Sequence, residues 1–63
     1  MPKTNVEVQL VGEDGNAFAI LARVEKALKQ AGHRDLATEF MAEATSGNYD
    51  HLLQTCCQYV EVS

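Results

Sequence analysis

The stretch NVEVQLV, residues 5–11, decides the fold class. Val6, Val8 and Leu10 alternate with Glu7 and Gln9, so an extended chain here has one apolar and one polar face. A period of two is the mark of a strand with one side buried. The alternation returns at the far end in YVEV, residues 59–62, read as a second short strand leaving the last helix. Between the two lie three helical patterns.

GEDG, residues 12–15, is a turn by composition, and Asn16 caps the first helix. That helix spans about Ala17 to Ala31, where Ala17, Ile20, Leu21, Val24, Ala27, Leu28 and Ala31 share one face. Glu25 and Lys29 pair at i,i+4 on its outside, and Gly32 stands at C′. A second helix runs from Arg34 or Asp35 to Thr45, with Leu36, Phe40 and Ala44 as its stripe and Ala37 and Met41 alongside. In SGN, residues 46–48, Gly47 suits a left-handed cap and Asn48 an N-cap. The third helix then places Tyr49, Leu52, Leu53, Cys56 and Val60 on one face.

The expected fold is α+β, a single small domain over residues 1–63 with an ordered core at about 5–62. Its order is β-α-α-α-β. If each helix reverses direction and the last strand continues from the third helix, the strands meet as a two-stranded antiparallel sheet covered by three helices. Two strands alone are marginal in water and leave both edges open, which favours a homodimer through a strand edge.

At 63 residues the chain buries only about 60% of its unfolded surface, and domains below roughly 70–80 residues usually need a staple. Cys56 and Cys57 do not supply one, because neighbours cannot join distant segments. They read as free thiols, at least one of them in the core. MPKTNVEVQL has no apolar targeting region and no run approaches the ~18 residues of a membrane span, so a cytoplasmic location is expected.

Net charge is −4, unevenly spread. Residues 35–63 hold five acidic side chains and no Lys or Arg. Direct nucleic-acid binding needs a basic footprint, and this half is the reverse. On the second helix Asp35, Glu39 and Glu43 recur at i, i+4 and i+8 as one acidic stripe. It reads either as a solvated face balanced by Arg23 and Lys26 of the first helix, or as a docking surface for a basic partner.

The words DGNAF (14–18), EATSG (43–47) and YDHLL (49–53) together resemble a family of short bacterial and phage-associated proteins of no known activity. The likeness covers roughly residues 7–62, with Asn48 where the pattern has Asp. It implies one small domain of bacterial or phage origin and supplies no catalytic residues.

Other sites read as structure. A strand, glycine loop and helix start is also the layout of a phosphate cradle. Yet Glu13 and Asp14 stand where an anion would sit, and no Lys or Ser/Thr comes after them at P-loop spacing. For calcium, Glu13, Asp14 and Asn16 lack EF-hand order. For zinc, His33, His51, Cys56 and Cys57 are poorly spaced, since adjacent cysteines on a helix point about 100° apart. His51 beside Asp50 and one turn from Thr55 lacks an oxyanion hole, and so small a chain has little room for a catalytic pocket.

The leading reading is therefore a non-enzymatic accessory or regulatory protein that binds another protein and needs no cofactor. One alternative is a phage-type inhibitor whose acidic stripe mimics nucleic-acid charge. Another is a small metal-dependent protein using His51, Cys56 and Cys57.

Overall fold

The computed structural model describes residues 2–10, 12 and 15–63. Its elements run β1 (Glu7–Val8), α1 (Ala17–Gln30), α2 (Arg34–Ala44), α3 (Tyr49–Tyr59) and β2 (Glu61–Val62). The order matches the sequence reading, with helices of 14, 11 and 11 residues against strands of two, so the protein is mainly helical.

Local chemistry sets the helix ends. Asn16 Oδ1 accepts from the Ala19 N–H at 3.0 Å, and Asn48 Oδ1 from the His51 N–H at 2.9 Å, so each satisfies an orphan donor of a first turn. α1 stops at a complete Schellman motif. Gly32 takes φ +87°, its N–H donates to Lys29 O, and the His33 N–H reaches back to Leu28 O at 2.8 Å. Gly47 differs from expectation, because its φ is not positive. Glycine is needed there for space: a Cβ would lie 2.8 Å from both Cβ and Cγ of His51.

Buried Ile20, Leu21, Val24 and Leu28 of α1 meet Ala37, Phe40 and Ala44 of α2 and Leu52, Cys56 and Tyr59 of α3. The face of α3 is rotated from the expected one. Leu53 is exposed, whereas Thr55 and Tyr59 are buried, and Thr55 Oγ1 is satisfied at 2.7 Å by the His51 carbonyl one turn back. The Tyr59 ring meets Phe40 edge-on at 5.6 Å between centroids.

The sheet is parallel, not antiparallel, with Glu7 opposite Glu61 and Val8 opposite Val62. The cause lies at the end of α3. Its last carbonyls lack helical partners, and the N-terminal segment supplies them: the Lys3 N–H donates to Gln58 O at 2.8 Å and the Thr4 N–H to Tyr59 O at 3.2 Å. Thr4 Oγ1 adds a second bond to Tyr59 O at 2.8 Å. The chain's start is thereby pinned where α3 stops. At Val60 the backbone turns extended, and both segments leave that point in the same direction. The Glu61 N–H donates to Val6 O, Ser63 to Val8 O, and Leu10 to Ser63 O. Nor do all three helices cover this ribbon. It packs on α1 and α3, while α2 packs against those two helices.

Candidate functional site

The acidic stripe is real in geometry but largely engaged. Glu39 Oε2 accepts from Lys3 Nζ at 2.9 Å and from the Tyr59 hydroxyl at 2.6 Å, and Lys3 Nζ lies 5.0 Å from the Tyr59 ring centroid. The Tyr59 hydroxyl, and then Lys3, hold the Glu39 carboxyl below the usual carboxylate range. Burial, together with the bond to Glu39, pushes the Tyr59 phenol up to about 12. Glu43 Oε2 lies 2.9 Å from His51 Nε2. Asp35 stands exposed in the first turn of α2, where the helix dipole favours it. The balancing cations differ from those expected. Arg23 donates from Nη1 to Gln9 O at 3.1 Å, and Arg23 and Lys26 line a groove against β1, away from α2.

The histidine and thiols do not form a reactive set. His51 Nε2 faces the Glu43 carboxylate, the Glu43 carbonyl at 3.0 Å and Ser46 Oγ at 3.3 Å. Two of these are obligate acceptors, so Nε2 carries the proton. A serine–histidine–acid relay needs hydroxyl and carboxylate on opposite ring nitrogens, and here both meet one. Cys56 is buried, which pushes its thiol up to about 11, while Cys57 is exposed. Among the described residues no three His, Cys, Asp or Glu side chains converge. Glu13 and Asp14, on which the phosphate and calcium readings turn, lie outside the described residues. Gly15 is described, and its N–H donates to the Tyr49 hydroxyl at 2.9 Å.

The feature that sequence reasoning missed is the groove. It is an open cleft of about 530 Å³ between the outer edge of β1 and the flank of α1 that carries Ala19 and Ala22. Val6, Val8 and Leu10 turn their ladder groups toward β2, so Glu7 and Gln9 turn theirs into the cleft. Arg23 takes the Gln9 carbonyl. Among the described residues, the N–H and C=O of Glu7 and the N–H of Gln9 have no partner. The signal present in the sequence is the pair Ala19 and Ala22, small side chains off the apolar stripe of α1.

No protein-family model, curated protein or solved structure matches this chain. No helix among the described residues is long and apolar enough to cross a membrane.

Proposed function

We propose that this chain is a small non-enzymatic accessory or regulatory protein that acts by binding another protein, and that it receives an extended segment of that partner along β1. The observation that carries the reading is the row of unpartnered backbone groups at Glu7 and Gln9, set beside a cleft walled by small side chains. Strand addition draws affinity from such groups and selectivity from the wall. Lys26, which has no ion pair among the described residues, favours a segment with acidic side chains. A homodimer through a strand edge draws on the same unpartnered groups. A cytoplasmic location and a bacterial or phage origin belong to the same proposal, the latter through the likeness in DGNAF and YDHLL.

A nucleic-acid mimic draws less support, because Lys3 and His51 sit on two of the three stripe carboxylates. The metal-dependent reading draws less still, with Cys56 buried and Cys57 exposed.

Selection of extended peptides from a displayed random library tests the proposal. Acidic sequences are expected, and adding them to labelled protein should move the Glu7 and Gln9 amide signals. Raised salt should weaken the binding, and Ala22→Tyr, which fills the cleft, should abolish it. Failure to select any peptide, or shifts confined to another face, overturns the reading.

A further inference from the structure

Phe18 is 85% exposed on the first turn of α1, against 40% for Val62 and 36% for Leu53, the other large apolar side chains in water among the described residues. Aromatic rings dominate the energetics of cores and interfaces, so one standing this far out marks a contact surface. Beside it, at the end of the molecule where α1 and α3 begin and α2 stops, lies a hollow of about 260 Å³. Ala17, Leu21, Ala44, Tyr49 and Leu52 give it an apolar lining. Of its polar groups, Thr45 Oγ1 donates to Met41 O, Asn48 Oδ1 accepts from the His51 N–H and the Tyr49 hydroxyl accepts from the Gly15 N–H. An apolar cavity of roughly 150 Å³ holds a benzene ring, so this one admits a phenyl group.

Phe18 does not fill the hollow of its own chain, since its ring points to solvent. Knob and hole on one patch are, however, what a two-fold interface requires, because each copy offers both halves. None of the described residues lining the hollow is charged, so copies that each carry −4 meet there without like charges set against one another. We propose that two copies of this chain associate about a two-fold axis, each placing Phe18 in the other's hollow. This surface is separate from the β1 cleft, and its occupancy does not depend on strand addition.

Sedimentation equilibrium from about 10 μM to about 1 mM, the range for a small interface, tests the idea. The wild-type protein should pass from monomer to dimer. Phe18→Ser leaves the core intact and should weaken association about tenfold or more, while Val62→Thr at the strand edge should leave it unchanged. In a mixed-label sample, Phe18 ring protons should show intermolecular contacts to the Ala44 and Leu52 methyls. A protein that stays monomeric throughout, a dimer that survives Phe18→Ser, one lost on Val62→Thr, or absence of those contacts overturns the proposal.

Discussion

Thr4→Val replaces a hydroxyl by a methyl of nearly the same shape at the point that fixes strand direction. Thr4 Oγ1 donates to Tyr59 O at 2.8 Å and accepts from the Val6 N–H at 3.2 Å, and the residue is buried. Each such bond is worth about 0.5–1.5 kcal/mol net. The Tyr59 carbonyl keeps the Thr4 N–H, so the expected loss is about 1–2 kcal/mol rather than the full sum. A chain of this length has roughly 3–9 kcal/mol in total, and about 1 kcal/mol moves the melting temperature by 4–8 °C. Urea unfolding monitored by far-UV circular dichroism measures the loss directly. Thr4→Ser keeps the hydroxyl and should retain more stability than Thr4→Val despite its missing methyl. An antiparallel ribbon would carry Thr4 away from Tyr59. Valine at wild-type stability, within about 0.3 kcal/mol, or valine above serine, would refute the docking of the chain's start on α3.

Gly47→Ala should cost about 1–3 kcal/mol by overpacking against His51, and Gly47→Asn should cost as much. Asparagine near neutrality in thermal melts would restore the left-handed cap. Phe40→Ala removes a fully buried ring and its edge contact with Tyr59; a loss of about 3–5 kcal/mol should leave little folded protein, and a urea midpoint shift worth under about 1 kcal/mol would contradict this core. Native protein should react with a thiol reagent at Cys57 alone, with Cys56 reacting only on unfolding. Alkali should destabilise the fold through Cys56. Its thiol titrates near 9.0 when unfolded and about 11 when folded, so stability is full below pH 9 and falls between 9 and 11 as the unfolded chain sheds a proton the folded chain keeps. Its share of the slope is at most about 1.4 kcal/mol per pH unit. Tyr59, whose phenol rises from 10.0 to about 12, adds a slope of the same sign above pH 10, so Cys56→Ala should flatten the pH 9–10 portion in urea titrations.

The elements were legible because their signals are local. Asn16, Gly32 and Asn48 act within a turn of themselves, and the α1 stripe needs only its own spacing. Strand direction was not legible, since it depends on Thr4 meeting the carbonyl of Tyr59 at the other end of the chain. The rotated face of α3 was within reach. Leu52, Thr55, Cys56 and Tyr59 keep helical spacing, but Tyr59 also belongs to the alternating YVEV and Thr55 carries a hydroxyl; His51 O and Glu39 satisfy the two hydroxyls. The spacing of the stripe was plain in Asp35, Glu39 and Glu43, yet nothing local announces Lys3, 36 positions from its carboxylate. The exposure of Phe18 had a sequence sign as well, because it stands off the 17, 20, 21, 24 stripe.

The parallel ribbon ties the first strand of this fold to its last, so the helices between them can pack before the two strands meet. Closing so long a loop adds only a slowly growing entropy term. A protease that cuts between α3 and Val62 would therefore leave the helices packed while stripping Val8 of its ladder partner, and the clipped protein would be the form most prone to recruit a stray strand.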